Sequence, residues 1–309
     1  MSKRDFLSID GLTAEELTGL LDEADDVKRK PEKYTDALNG LQIVLIFEKP
    51  STRTRVSFEA AVTSMAGHPI VLRGDELQLG RGETIEDTGR VLARYTDALV
   101  VRTFGQDRLE RLAASSSVPV INALSDYSHP CQALADYQTI REQRGELMGR
   151  TLAYVGDGNN VAHSLMFAGA RLGMHIRVAC PSGYEPLPTV VRRSSLTAAE
   201  TGGSITVTNA VAEAVRDADV LYTDVWASMG QEDEAEDRKE IFGRYRIDTE
   251  VLDLAADDAI VLHCLPAHRG EEIAADVLDG PRSAVWDQAE NRLHSQKALL
   301  SWLLVKDDR

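Results

Sequence analysis

The feature that most limits the possible folds is a recurring order: short apolar runs of strand length, separated by stretches with helical spacing. Leu41 to Phe47, Ile70 to Leu72, Ala98 to Val101 and Val118 to Ile121 form a first series of runs. Between them Val56 to Met65, stopped by Gly67, and Ile85 to Tyr95 read as helices. Ahead of them Thr13 and Glu16 make a capping box before Leu17, Leu20, Leu21, Ala24 and Val27, which share one helical face. After Gly145 to Gly149 a second series follows at Thr151 to Val155, His175 to Ala179, Ile205 to Val207, Val220 to Tyr222 and Ile260 to Leu262. Strands that are apolar on both faces and alternate with helices belong to parallel sheets covered on both sides. The expected fold class is therefore α/β, with two doubly wound domains, each a central parallel sheet flanked by helices.

A chain of 309 residues suits two domains of roughly 150 residues each. The boundary is expected near 148, giving domains 1–148 and 149–286. The final helical stretch, 287–309, follows the last strand, and spacing alone lets it pack on either domain. No Pro- or Ser-rich linker separates the halves, so the crossing is expected inside a helix between Cys131 and Glu146, as a stiff hinge.

Composition excludes several classes. With 43% hydrophobic and 27% charged residues the chain is too apolar for a disordered scaffold. No stretch approaches the roughly 18 apolar residues of a membrane span, and no signal-type block follows Met1-Ser2-Lys3-Arg4, so a soluble, cytoplasmic protein is expected. Three widely spaced cysteines without a CxxC pair fit neither a disulfide framework nor a zinc cluster. The 34 basic against 50 acidic residues leave a charge of −16, a field that repels nucleic acid and anionic lipid. Acidic runs such as Asp22 to Asp26 and Glu232 to Asp237 fit adaptation to high salt, where the Debye length shrinks to roughly 3 Å at 1 M; an ordinary acidic enzyme is the alternative.

In doubly wound sheets chemistry collects where strands end, and five turns stand out. Glu48 to Arg55 runs from a strand into a helix, and Ser51, Thr52, Arg53 and Thr54 there can cradle a phosphate, although a capped helix with two solvated arginines describes them as well. Arg102 ends another strand. In Ser128-His129-Pro130-Cys131-Gln132, Pro130 suits a first helical position and puts His129 and Gln132 about a turn apart; His129 is either a helix cap or a donor to an anion or carbonyl. Three cationic or donor groups at three strand ends are what a small phosphorylated substrate with a reactive carbonyl requires. In the second half, Gly156 to Val161 is a strand-to-helix turn lacking G-x-G-x-x-G, so it fits a zwitterion through Asn159 and Asn160 better than a dinucleotide. Asp224 ends a further strand, with Ser228 four residues on. Cys264, in Leu262 to Gly270, follows a strand where a cysteine is ordinarily core, and strand alternation places it and His263 on opposite faces, unsuited to a shared metal.

Together these motifs resemble the transcarbamoylase family, and within it the ornithine-using branch. Ser51-Thr52-Arg53-Thr54, His129-Pro130-Cys131-Gln132, the Gly156 to Asn160 turn, Asp224 to Gly230 with Ser228-Met229-Gly230, and His263-Cys264-Leu265-Pro266 occur in the family's order over nearly the whole chain. Aspartate-using relatives lack the S-M-G loop and the cysteine before L-P, and the putrescine- and N-acylornithine-using ones differ in the same loop.

The resemblance implies that the first domain binds carbamoyl phosphate through Ser51, Thr52, Arg53, Thr54, Arg102, His129 and Gln132. Arg292 is implied near the same ligand, which folds the last helix back onto the first domain. Gln78 is implied to reach a neighbouring subunit's site, hence a homotrimer or a multiple of trimers. The second domain is implied to bind L-ornithine through Asn160, Asp224, Ser228, Met229, Cys264 and Leu265, with Arg102, His129 and Cys264 as the catalytic residues. Cys264 is expected to orient the amine and handle its proton; a covalent carbamoyl-cysteine is unnecessary because phosphate already activates the carbonyl. No metal or organic cofactor is implied. A carbamoyltransferase for putrescine or N-acetylornithine is the alternative, with a catalytically silent relative behind it and a nicotinamide oxidoreductase a distant fourth.

Overall fold

The computed structural model describes residues 3–77, 82–227 and 234–305. The chain divides into two compact units, residues 1–135 with 291–309, and 136–290. The division falls inside one helix, between Ala135 and Asp136, earlier than the expected boundary at 148, and again inside the last helix at Asn291.

In the first unit α1 (Ala14–Arg29) opens on the expected capping box: the Thr13 hydroxyl accepts from the Glu16 N–H, and the Glu16 carboxylate accepts from the Thr13 N–H. The strands β1 (Gln42–Phe47), β2 (His68–Arg73), β3 (Ala98–Arg102) and β4 (Val120–Leu124) form one parallel sheet in the order β2-β1-β3-β4. They alternate with α2 (Thr52–Ser64), α3 (Ile85–Leu92) and α4 (Gln106–Ser115), and α5 (Pro130–Arg144) follows β4. The inner strands β1 and β3 are almost wholly buried because helices cover both faces. Val44, Ile46, Leu99 and Val101 pack against Leu109, Leu112 and Val120 as the core. Two boundaries differ from expectation for local reasons. Pro119 has no N–H to give a ladder, so β4 begins at Val120 rather than Val118. Helix α2 begins at Thr52, ahead of its first apolar residue Val56, because Ser51 caps it.

The second unit holds β5 (Thr151–Val155), β6 (His175–Ala179), β7 (Ser204–Thr208), β8 (Val220–Thr223) and β9 (Ile260–His263), all parallel in the order β7-β6-β5-β8-β9. Its helices are α6 (Asn160–Arg171), α7 (Pro188–Thr201), α8 (Val211–Val215), α9 (Ala235–Phe242), α10 (Thr249–Leu252) and α11 (Ala275–Leu278), and α12 (Val285–Leu304) begins in it and runs on into the first unit from Asn291. One of its cores gathers Trp226, Phe242, Tyr245 and Ile247 around Val155, Leu221 and Val261, with Tyr184 edge-on to Phe242 at 4.9 Å between ring centroids. Among the described residues no helix is long and apolar enough to cross a membrane.

Candidate active site

Each sheet has a single point where the strand order reverses, between β1 and β3 in one and between β5 and β8 in the other. Crevices for ligands open at the carboxyl ends of strands at such points. Of the residues singled out in the sequence, Ser51 to Thr54 follow β1 and Arg102 ends β3, while Asn159 and Asn160 follow β5 and Asp224 follows β8.

In the first unit Phe47 and Arg102 are register partners at the ends of β1 and β3, and the Glu48 N–H donates to the Arg102 carbonyl at 2.9 Å. The loop after β1 enters α2 through Ser51, whose hydroxyl accepts from the Thr54 N–H at 3.3 Å. Thr52 and Arg53 are exposed on the first turn, whereas Thr54 is buried. The Thr54 hydroxyl accepts from Nη2 of Arg292 at 3.3 Å, and Nη1 of the same guanidinium donates to Oε1 of Gln132 at 2.6 Å. Arg292, in the stretch 291–309, is thus built into the first unit, bridging the turn after β1 to the start of α5. Arg102 is itself buried, only 5% exposed.

His129 caps α5: its carbonyl accepts from the Gln132 and Ala133 N–H groups, and Pro130 takes the first helical position. The backbone of His129 thus caps the helix, and its imidazole is buried. Burial, then the charges of Arg292 and Arg102, push its pKa well below 6.5, so it stays neutral. A neutral imidazole can give a hydrogen bond without adding charge to a site that already holds two guanidiniums. Cys131, in the same motif, is fully buried and its thiol is pushed up to about 12 by burial, which leaves it a core residue. Lys49 is a cation that the motifs passed over. It is buried, ion-paired with Asp126 at 2.6 Å and set over the Phe104 ring, so it fixes the loop after β1 against the loop after β4.

In the second unit Val155 and Thr223 are register partners at the ends of β5 and β8. Asn159 caps α6, its Oδ1 accepting from the Val161 and Ala162 N–H groups at 2.9 and 3.3 Å. Its Nδ2 donates to Oδ2 of Asp224 at 3.0 Å. Oδ1 of the same carboxylate accepts from the Cys264 thiol at 2.9 Å. Asn159, Asp224 and Cys264 form one chain of contacts across three strand ends. Asn160 is half-buried one residue into α6, and Leu265 is half-buried with φ at +58°. Gln78, Ser228 and Met229 lie outside the described residues.

Both flanks of the segment carrying Ser228 and Met229 are held by one residue. Arg238 donates to the Trp226 carbonyl at 2.8 Å, to Asp157 in the turn after β5 at 2.8 Å, and to Glu234 at 3.0 Å. Burial pushes the Asp157 carboxyl up even though Arg238 pulls it down. Arg238 carries no motif signal; its spacing is that of any charged helix residue.

The expectation that His263 and Cys264 face apart is corrected. Polar atoms of Asp224, His263 and Cys264 lie within 4.8 Å of one another, because β9 ends at His263 and the alternation of side chains ends with it. The set still makes a poor metal site. Nδ1 of His263 accepts from the Leu265 N–H at 2.8 Å and Nε2 bonds the buried Glu272 at 3.1 Å, so both ring nitrogens are engaged.

Comparison with known proteins also finds two parts in the chain. Residues 4–142 match the family described as aspartate/ornithine carbamoyltransferase, carbamoyl-P binding domain, and residues 148–303 match its Asp/Orn binding domain. An ornithine carbamoyltransferase of Parafrankia sp. is 60% identical over 98% of this chain and 97% of its own length. The anabolic ornithine carbamoyltransferase of Pyrococcus furiosus is 52% identical over 98% and 97%. A solved structure of ornithine carbamoyltransferase from P. furiosus superposes with a TM-score of 0.95, covering 100% of this chain and 99% of that one.

Proposed function

The chain belongs to the aspartate/ornithine carbamoyltransferase family, and on that premise we propose how its residues divide the work of the reaction it catalyses. That reaction transfers the carbamoyl group of carbamoyl phosphate to the δ-amine of L-ornithine, giving L-citrulline and phosphate. Carbamoyl phosphate goes to residues 1–148 with 287–309, and ornithine to 149–286.

Ser51, Thr52 and Thr54 offer hydroxyls at a helix start, the natural seat for a phosphate, and Arg53 adds a charge on the same turn. Arg102 spans phosphate and carbonyl oxygen, both of which gain negative charge in the transition state. Neutral His129 donates to the carbonyl oxygen. Gln132, held by Arg292, orients the carbamoyl amide.

Asn160, Asp224, Ser228 and the backbone at Met229 take the α-amino and carboxylate groups of ornithine. The δ-amine must shed a proton before it attacks, since an alkylammonium with a pKa near 10.4 leaves on the order of one molecule in two thousand neutral at pH 7. Cys264, with the Leu265 carbonyl, orients that amine, and the thiol tied to Asp224 gives its proton a route away. Positioning two substrates can supply about 7 to 11 kcal/mol of the barrier reduction. A trimer in which Gln78 completes a neighbouring site, a cytoplasmic location and operation toward citrulline complete the proposal; the anabolic P. furiosus relative supports the direction.

The observation that carries this reading is the Cys264–Asp224 contact at 2.9 Å beyond adjacent strands. Steady-state kinetics of one substitution in each half test it. Cys264→Ala should lower kcat by about 10², the scale of a lost acid-base or orienting group. Arg53→Ala should abolish measurable turnover with the circular dichroism spectrum unchanged, since that side chain is exposed. Unaltered kinetics in Cys264→Ala would remove the thiol from the mechanism.

A further inference from the structure

Behind the Asp224–Cys264 pair lies a closed ring of buried polar groups that no motif predicted. Asp136, on α5, is fully buried. Its Oδ1 accepts from Nε2 of Gln288 on α12 at 2.6 Å, and its Oδ2 from the Tyr222 hydroxyl at 3.2 Å. The Gln288 amide spends its second proton on the Tyr222 oxygen at 3.1 Å, closing the ring. Gln288 Oε1 then accepts from the backbone N–H of His263 at 2.9 Å.

That last bond explains an edge. Strand β9 ends the sheet order, so one side of its backbone has no strand to pair with. The stretch before α12 covers most of that side: Val261 N–H donates to the Arg282 carbonyl and Ala284 N–H to the Val261 carbonyl. Gln288 extends this pairing by one more rung, with a side chain in place of a backbone. The rung falls on His263, the residue before Cys264, while Tyr222 stands two residues before Asp224. The ring thus ties together the two strand ends that carry the thiol and the carboxylate.

We propose that Asp136 is a positioning residue for carbamoyl transfer, holding Tyr222 and Gln288 so that β8 and β9 present Asp224 and Cys264 at hydrogen-bonding distance. This rests on the reading of Cys264 and Asp224 given above. The three side chains of the ring are fully buried, so it acts through the two strands. Donor and acceptor capacities close: the Asp136 oxygens accept one bond each within the ring, the amide gives two and takes one, and the phenol gives one and takes one. Burial and the Asp136 charge push the Tyr222 pKa well above 10, which keeps the phenol a donor.

The test exploits the polarity of the Asp136–Gln288 contact. Asp136→Asn turns an amide toward an amide and Gln288→Glu a carboxylate toward a carboxylate, whereas the double variant restores one donor and one acceptor. Each single variant should lose about tenfold or more in kcat, with KM for carbamoyl phosphate within about twofold and an altered pH profile of kcat; the double should recover most of the loss. Tyr222→Phe removes one hydroxyl and keeps the ring volume, so it gives the same readout if Asp136→Asn does not fold. Cys264→Ala is measured alongside. Wild-type kinetics in Asp136→Asn or Tyr222→Phe while Cys264→Ala is impaired overturns the proposal alone, as does a double variant no better than the singles. Wild-type kinetics in Cys264→Ala overturns the reading of the site and this proposal with it.

Discussion

A buried histidine between two arginines makes the first unit sensitive to acid. The His129 pKa is depressed in the folded chain, by burial first and then by Arg292 and Arg102, while in the unfolded chain it returns to about 6.5. Below that value the unfolded state binds a proton that the folded state refuses. The contribution to stability is therefore full above pH 6.5 and declines as pH falls toward the depressed value. Thermal melts between pH 7 and 5 should show the midpoint falling, and His129→Gln should flatten that slope; an equal slope in the variant would contradict the assignment. At this scale the sequence was most legible where a polar side chain ends or directly follows a strand, as with Arg102, Asp224 and Cys264. Arg292 was brought near Thr54 only by the family resemblance and not by its own spacing, since that bond joins positions 238 apart. Asp136 and Gln288, 152 apart, were equally hidden, because an aspartate or glutamine on a helix ordinarily faces water.

Among the elements, α6 shows how one residue serves fold and site together. Asn159 caps the helix with its oxygen and holds Asp224 with its nitrogen. Asn159→Ala should cost about 1 kcal/mol as a lost cap and lower the melting midpoint by a few degrees, with KM for ornithine raised. Asn159→Asp keeps the cap but sets a second carboxylate beside Asp224; its melting midpoint should stay closer to wild type while activity falls further. A variant that melts like wild type and turns over like wild type would detach Asn159 from the site. The α/β order of elements could be read from the apolar runs because strands buried on both faces leave no polar alternation to confuse with loops. Their ends were less plain from hydrophobicity alone: Pro119 decides where β4 begins, and the start of α2 was legible only through the Ser51 cap.

For the whole molecule the charge of −16 makes a prediction that no single contact contains. Self-repulsion at low ionic strength should loosen the fold, so circular dichroism and turnover should both improve from dilute buffer toward molar salt. Undiminished structure and activity in dilute buffer would mark the acidity as ordinary. The division into two units was legible from the two strand series, although the crossing inside α5 at Ala135 and Asp136 was located only loosely, because a helix shared by two units has no linker composition to betray it. The most direct measurement of the central claim is an acceptor panel. Carbamoyl phosphate is supplied with L-ornithine, putrescine, L-aspartate or N-acetylornithine, and carbamoylated product and phosphate are quantified together. The account predicts citrulline and phosphate in equal amounts with ornithine and far slower turnover with the other three. Phosphate without citrulline, or a faster reaction with another amine, would contradict it.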